Sequence, residues 1–147
     1  MSLYEPIALI FPLFKIIILL LSINLILLSL FSYAEHIFVS NENSDTVVVL
    51  NKLSKKIIKT IETGGRPRDL KFNNDFSKLY VVVSEENHIL VIDTKNFKIL
   101  DKIETGDDPE IFDIDSNNKF IAVSNEDDNQ LTIIDLRKKK IIFPITP

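Results

Sequence analysis

The stretch Glu62-Thr63-Gly64-Gly65-Arg66-Pro67 returns as Glu104-Thr105-Gly106-Asp107-Asp108-Pro109, 42 residues further along the 147-residue chain. A second landmark keeps the same spacing, because the apolar run Val47-Val48-Val49-Leu50-Asn51 recurs as Ile89-Leu90-Val91-Ile92-Asp93 and as Leu131-Thr132-Ile133-Ile134-Asp135. A fixed period of this kind is typical of architectures in which one small unit stacks against copies of itself. The sequence therefore predicts a repeat fold from residue 36 onward.

A third landmark recurs with uneven spacing. The strings Val39-Ser40-Asn41-Glu42, Val83-Ser84-Glu85-Glu86 and Val123-Ser124-Asn125-Glu126 are separated by 44 and then 40 residues. Aligned on their serines, they indicate strands of constant register followed by an exposed turn of variable length.

Each unit resolves into short β-type runs. In the one complete copy we expect strands at about 68–72, 79–83, 88–92 and 97–103, rich in Val, Ile, Leu, Phe and Tyr and bounded by turn residues. Four strands in about 42 residues match the blade of a β-propeller. Tyr80–Val83 and Ile89–Ile92 are apolar on both faces, which is expected of strands buried between stacked blades. The fold prediction is all-β, with about three four-stranded antiparallel blades and repeats at about 36–78, 79–119 and 120–147.

The order of these landmarks resembles the YVTN family of β-propeller repeats. The string Phe38-Val39-Ser40-Asn41, the strands ending at Asp93 and Asp135, and the Ile-x-Thr-Gly-x-x-Pro strings at 61–67 and 103–109 carry the resemblance. It implies kinship with the periplasmic propellers found alongside quinoprotein (PQQ-dependent) dehydrogenases. The absence of tryptophan argues against WD-type blades. The family's Pro-Asp-Gly turn is replaced by Asn74-Asp75-Phe76-Ser77 and by Ser116-Asn117-Asn118, whose side chains can still bond turn amides.

The N-terminus carries an uncharged apolar run, Ile16 to Phe31, after Lys15 and before Ser32-Tyr33-Ala34. A positive charge, an apolar core and a small-x-small tripeptide predict a signal peptide at 1–34, cleaved between Ala34 and Glu35. An uncleaved membrane anchor is the alternative, since about 20 apolar residues suffice to span a bilayer. The domain is then expected in the periplasm or outside the cell, or tethered there by the anchor.

Composition narrows the function classes. The chain has a net charge of −4, and its acidic and basic residues are interleaved, which gives no footprint for nucleic acid. The basic run Arg137–Lys140 is interpreted as a solvated turn. The absence of cysteine excludes thiol nucleophiles and Cys-ligated zinc in this chain.

The motif search predicts no catalytic, cofactor or metal site. His36 and His88 lie outside any metal-binding pattern, and each is expected to be a partly exposed histidine at a strand edge. The acidic strings Glu85-Glu86, Asp107-Asp108-Glu110 and Glu126-Asp127-Asp128 match no calcium loop and are interpreted as solvated turns.

The Gly-x-x-Pro turns are given structural and recognition roles. Gly64, Gly65 and Gly106 are expected to supply positive φ, and Pro67 and Pro109 to open the following strand. Repeat logic gathers equivalent loops at one mouth of the channel. Their charged residues are the predicted partner contacts: Arg66, Arg68, Asp69, Asp107, Asp108 and Glu110.

The leading function hypothesis is a non-enzymatic exported module that binds or scaffolds a protein or ligand, and the family resemblance implies a place beside a PQQ-dependent oxidation system. A lactonase-like propeller enzyme and a surface-anchored adhesion module are the alternatives. Eleven strands are expected from residue 36, three before the first Gly-x-x-Pro turn, four between the turns and four after the second. Closed propellers have about 4–8 blades. We therefore expect an arc that other chains complete, or a truncated propeller, and an isolated monomer prone to association.

The N-terminal prediction is tested by intact-mass analysis of the chain recovered from the compartment to which it is exported. Cleavage by a signal peptidase should give a mature form that begins at Glu35. A mass that retains residues 1–34 would contradict cleavage and favour the anchor.

Overall fold

The computed structural model describes residues 14–22, 35–127 and 129–145, apart from the side chain of Pro144. The chain divides into two units, Met1–Glu35 and His36–Pro147. In the first unit residues 14–22 are helical, and no described helix is long and apolar enough to cross a membrane. The predicted cleavage point after Ala34 and most of the apolar run lie outside the described residues.

The second unit consists of antiparallel sheets whose strands neighbour each other in chain order. The first sheet contains β1 (His36–Asn41), β2 (Thr46–Asn51) and β3 (Ile57–Glu62). The second contains β4 (Pro67–Phe72), β5 (Lys78–Val83), β6 (His88–Asp93) and β7 (Ile99–Glu104). The third contains β8 (Pro109–Ile114), β9 (Phe120–Asn125), β10 (Gln130–Asp135) and β11 (Lys140–Ile145). The predicted eleven strands and their grouping around the two Gly-x-x-Pro turns are confirmed for the described residues.

The 42-residue period is stricter in the fold than in the letters of the sequence. β1, β5 and β9 begin at residues 36, 78 and 120, so the predicted drift of the third landmark is wrong. Ser40 and Ser124 lie inside β1 and β9, whereas Ser84 follows β5 in a short 3-10 turn. Buried Ser84 instead donates a hydrogen bond from its Oγ to the Pro109 carbonyl at 2.6 Å, which ties the second sheet to the start of β8.

The backbone repeats residue by residue. Left-handed residues recur at 42-residue intervals: Asp45, Asn87 and Asn129; Lys55, Phe97 and Lys139; Arg66 and Asp108; Phe76 and Asn118. The Thr63 amide donates to the Asp45 carbonyl and the Thr105 amide to the Asn87 carbonyl, both at 3.0 Å. Equivalent turns are therefore built by the same hydrogen bonds, although their sequences differ.

The glycines of the Gly-x-x-Pro turns act differently from the prediction. Only Gly64 has positive φ, at 91°, and the other left-handed positions are Arg66 and Asp108. Gly106 is needed for close approach, because an added Cβ would lie 2.9 Å from Nδ2 of the buried Asn125. Pro67 and Pro109 open β4 and β8 as predicted.

Asparagine and aspartate side chains close the turns at the ends of the strands. Asp93 Oδ1 accepts hydrogen bonds from the Lys95 and Asn96 amides at 2.9 Å, and Asp135 does the same for the two residues that follow Leu136. In the replaced Pro-Asp-Gly turn, the Ser77 amide donates to Asp75 Oδ1 at 3.0 Å. The predicted local bonding of these turns is confirmed.

The sheets stack face to face, with the second sheet between the other two. We call the face of each sheet that is turned toward the preceding sheet its leading face and the opposite one its trailing face. The leading face of the second sheet packs Leu79, Val81, Val83, Leu90 and Ile92 against Val47, Val49 and Ile61. Its trailing face packs Tyr80, Val82, Ile89, Val91 and Ile103 against Phe112, Ile121, Val123 and Ile134. The predicted burial of β5 and β6 on both faces is confirmed, since these side chains are at most 6% exposed.

The left-handed turn residues give a stability test in the turn after β2. Lys55 has a φ of 58° and is exposed, whereas its exposed neighbour Lys56 does not have positive φ. A left-handed L-residue costs about 1–2 kcal/mol, part of which is offset by the larger entropy that glycine gives the unfolded chain. We expect Lys55→Gly to raise the free energy of unfolding by about 0.5–1 kcal/mol in chemical denaturation.

Lys56→Gly is the matched control, because it removes the same charge from the same turn. We expect it to lower stability or leave it unchanged. Equal effects of the two substitutions would contradict the assigned turn geometry.

Candidate partner-binding edge

Antiparallel strands of equal length place alternate turns on opposite edges of the stacked sheets. The turns at 42–45, 63–66, 84–87, 105–108 and 126–129 share one edge and are joined by bonds such as the Ser84 amide to the Arg66 carbonyl and the Glu126 amide to the Asp108 carbonyl. The turns at 52–56, 73–77, 94–98, 115–119 and 136–139 share the other. We call the first set of turns the acidic edge and the second set the basic edge, after the charges described below. Each edge includes the two nearest residues of every adjoining strand.

The described residues of the acidic edge carry eleven carboxylates and two cationic side chains, Arg66 and Arg68, and Lys102 of β7 reaches the edge with its Nζ 3.5 Å from Glu86. The carboxylates belong to Glu42, Asp45, Glu62, Glu85, Glu86, Glu104, Asp107, Asp108, Glu110, Glu126 and Asp127. The described basic edge carries twelve cationic side chains: Lys52, Lys55, Lys56, Lys71, Lys78, Lys95, Lys98, Lys119, Arg137, Lys138, Lys139 and Lys140. Five aspartates accompany them, Asp75, Asp93, Asp113, Asp115 and Asp135. Charges that are interleaved along the chain are thus sorted by the fold, which the sequence interpretation missed.

Four of the six predicted contact residues meet in one ion-pair network. β4 and β8 approach each other where the second and third sheets meet, and this brings equivalent positions together. Arg68 forms a close pair with Glu110, 42 residues away. Arg66 lies 3.8 Å from Asp108 and 4.0 Å from Glu110, and its Nε donates to Glu42 Oε1 at 3.2 Å. The hydrogen bond to Glu42 raises the pKa of Arg66, which favours the cationic form of its guanidinium.

Glu110 is a carboxylate of this network whose surroundings disfavour its charged form. Partial burial raises its pKa, and repulsion from Asp108 and Glu126 adds to the rise. The attraction of Arg68 and Arg66 opposes these effects without outweighing them. The pair is therefore a compromise between desolvation and charge compensation, not a simple surface salt bridge.

The other two predicted contact residues have structural roles. Asp69 accepts a hydrogen bond from the Phe112 amide at 3.2 Å through Oδ2, which also lies 3.3 Å from Lys71 Nζ. This carboxylate joins β4 to β8. Asp107 Oδ1 accepts from Asn87 Nδ2 at 2.8 Å and holds two turns of the acidic edge together.

Three carboxylates of the acidic edge could share a cation. One oxygen each from Asp108, Glu110 and Glu126 lies within 4.8 Å of the others. Oxygen donors of this kind suit Ca²⁺. However, Arg66 and Arg68 already compensate two of the three, so a bound ion would compete with both guanidiniums.

On the basic edge four of the five aspartates, all but Asp113, accept hydrogen bonds that close the turns. The amides of Phe120, Lys119 and Asn117 hold the pKa of Asp115 below its usual value, and the amides of Lys138 and Arg137 do the same for Asp135. Of the run Arg137–Lys140, which was predicted to be a solvated turn, Arg137 to Lys139 occupy an exposed turn and the exposed Lys140 begins β11. Lys139 forms a close pair with Asp101 of β7. Most of the lysine charge faces water.

The two histidines begin β1 and β6, but the expectation of partial exposure is wrong for His88, which is 3% exposed. His88 Nδ1 lies 3.0 Å from the Glu86 carbonyl oxygen, and Nε2 is buried without a hydrogen-bond partner among the described residues. The equivalent residue in the first sheet is the buried Thr46. His36 stacks edge-on against Phe97, with ring centroids 5.1 Å apart.

Comparisons with known proteins support the fold alone. No family model and no curated protein matches the sequence. Hydrazine synthase of Kuenenia stuttgartiensis is structurally similar with a TM-score of 0.70, at 21% identity over 77% of this chain and 33% of that chain. The dihydro-heme d1 dehydrogenase NirN, in complex with DHE, has a TM-score of 0.66, at 16% identity over 76% of this chain and 24% of that chain. Both are β-propeller proteins, so the predicted all-β propeller fold is confirmed, and the chain spans a third or less of each.

The ion-pair network is tested by a double-mutant cycle with Arg68→Met and Glu110→Gln. The side chains are only 28% and 17% exposed, so we expect a coupling energy of about 1–2 kcal/mol in denaturant unfolding, more than an exposed pair provides. The control cycle uses Lys102→Met and Glu86→Gln, a 3.5 Å pair whose side chains are 56% and 42% exposed. Its coupling should stay below about 0.5 kcal/mol. Equal couplings in the two cycles would show that the network adds nothing.

Proposed function

We propose that this chain is an exported, non-enzymatic YVTN-type propeller module that binds a cationic protein partner through its acidic edge. The observation that carries the proposal is the sorting of charge, with eleven carboxylates and two arginines among the described residues of that edge. A concentration of one sign attracts and orients a partner of the opposite sign.

The two arginines do not neutralise the edge. Arg68 is used by Glu110, and Arg66 is shared by Glu42, Asp108 and Glu110. Glu62 and Glu104 are exposed at the ends of β3 and β7, and Glu126 is exposed in the turn after β9. These three carboxylates place negative charge on water-accessible side chains of the acidic edge, where a partner's lysines and arginines could reach them.

The resemblance to periplasmic propellers beside PQQ-dependent dehydrogenases supports a partner within an oxidation system. One structurally similar protein is itself named as a dehydrogenase. A basic electron-carrier protein, such as a cationic c-type cytochrome, is a partner of suitable charge for an acidic edge. This association is part of the proposal and rests on charge and resemblance together.

A lactonase-like activity is the second candidate, favoured by one observation. Glu110 has a raised pKa beside Asp108, and paired carboxyl groups in unlike environments can divide acid and base roles. Glu110 is already paired with Arg68, which favours a structural role for this carboxyl group. Hydrolysis of a lactone panel above background, lost in Glu110→Gln, would establish the enzyme instead.

The binding proposal is tested with a basic c-type cytochrome as the probe, by titration calorimetry at low and at high salt. We expect binding at low salt that weakens at least tenfold as salt rises, because the Debye length falls from about 30 Å at 0.01 M to about 8 Å at 0.15 M. The variant Glu62→Lys/Glu104→Lys/Glu126→Lys, which reverses three exposed charges of the acidic edge, should abolish the binding.

The matched control reverses three exposed charges on the basic edge: Lys56→Glu, Lys95→Glu and Lys138→Glu. This variant should bind the probe as well as the unmodified chain does. Binding strengthened in this variant as much as it is weakened in the acidic-edge variant would point to a net-charge effect, and equal losses in the two variants would contradict a site on the acidic edge.

A further inference from the structure

Two sheet faces of the second unit remain open to water and are apolar. On the leading face of the first sheet, Ile37 is 40% exposed and Val39 is 45% exposed. On the trailing face of the third sheet, Leu131 is 37% exposed and Ile145 is 42% exposed. A sheet face meant for water normally alternates to polar residues, so these two faces call for a physical explanation.

The repeat shows what each face is built to contact. Leu131 occupies the position of Val47 and Ile89, and Ile145 that of Ile61 and Ile103, all of which are buried on trailing faces. Val39 occupies the position of Val81 and Val123, and Ile37 that of Leu79 and Ile121, all of which are buried on leading faces. The open faces therefore repeat the two halves of a junction that the molecule already forms twice.

The two open faces keep apolar residues at further positions, although no neighbouring sheet covers them there. Val48 and Leu50 on the open leading face and Ile133 on the open trailing face are also apolar, as are their buried counterparts Leu90, Ile92 and Val91. Ser124 is a polar residue on the open trailing face, but the equivalent Ser40 lies on the trailing face of the first sheet, which packs against the second sheet. A serine at this position is therefore compatible with a packed face. Ala122 is smaller than the residues at its position in the other sheets, Phe38 and Tyr80, as Ser124 is smaller than Val82.

We infer that the trailing face of the third sheet docks onto the leading face of the first sheet in a second copy of this chain. The contact continues the established stacking, with Leu131 meeting Val39 of the copy as Val47 shares a cluster with Val81, and Ile89 with Val123. It is heterologous, because two different surfaces meet, and such contacts build rings or open stacks. Two copies provide six sheets, within the range of about 4–8 blades of closed propellers.

The acidic edge predicts how salt affects this assembly. Where the second and third sheets meet, Arg66 and Arg68 face Asp108 and Glu110. At the new junction the carboxylates Asp108, Glu110 and Glu126 of one copy approach the side of the copy that carries Glu42. Rising salt screens this repulsion and strengthens apolar contact. Association between copies should therefore increase with salt, opposite to the binding of a cationic partner, and the two proposals can fail independently.

The test uses the full chain with two different affinity tags, and measures capture of one tagged form by the other together with mass by light scattering. Leu131→Glu should block the trailing face and Val39→Lys the leading face, so each variant should lose capture of itself at least tenfold. Because both side chains are already partly exposed, the monomer fold should be kept, which circular dichroism checks. Mixing the two variants should restore capture, since one junction then pairs two unmodified faces.

Other outcomes each overturn the inference. An unmodified chain that stays monomeric at every salt concentration would exclude the contact. Undiminished capture in every pairing, that is, of the unmodified chain with itself, of each variant with itself and of the two variants with each other, would place the association elsewhere, for example in the N-terminal segment. Loss with Leu131→Glu alone, and no rescue on mixing, would indicate like faces pairing. Leu53→Glu, at a residue 91% exposed in a turn of the basic edge, is the matched control and should leave capture unchanged.

Discussion

Burial of β5 and β6 on both faces is the constraint on which the rest of the second unit depends. A sheet packed between two others must present apolar side chains in a fixed pattern on each face, and a shift of one residue would exchange the faces. This explains why equivalent strands keep a spacing of 42 residues although the turns vary in sequence. It also explains why Lys55, Phe97 and Lys139 share a left-handed backbone, since the turn geometry is set by the strands that it joins and not by the residue that occupies it.

The same constraint sorts the charges. Strands of six residues send alternate turns to opposite edges, so carboxylates in every second turn accumulate on one side. Equivalent positions of adjacent sheets meet at that edge, and an identical repeat would therefore place like charges together. The change from Arg66 and Arg68 in one turn to Asp108 and Glu110 in the next converts that repulsion into attraction. The sequence difference between these two repeats therefore makes the charges of the neighbouring sheets complementary.

The sequence was sufficient for features set by local periodicity. Strand count, strand order along the chain and the turn bonds of Asp93 and Asp135 all follow from alternation and from short-range hydrogen bonding. It failed where a property depends on three-dimensional neighbours. The letters around Ser84 match those around Ser40, but the burial of Ser84 depends on its contact with Pro109. The burial of His88 depends on the packing around it, which a position at the start of a strand does not reveal. The contact between Arg68 and Glu110 could have been inferred from their 42-residue separation. Because alternate turns lie on the same edge, the presence of Glu42 and Glu126 at that edge could have been inferred as well.

The attraction between the sheets and the orientation in which they stack come from different parts of this molecule. Apolar burial between sheets is nondirectional, and by itself it would tolerate a sheet stacked in either orientation. The edges remove that freedom, because the bonds from Arg66 to Glu42 and Asp108 form only when acidic edges lie side by side. On the opposite edge, the Asn74 amide donates to Asn118 Oδ1 at 3.3 Å and Lys139 pairs with Asp101, which fixes the same orientation. Stacking that obeys these polar contacts keeps all carboxylate-rich turns on one side, so the packing that stabilises the sheets also concentrates the charge available for recognition.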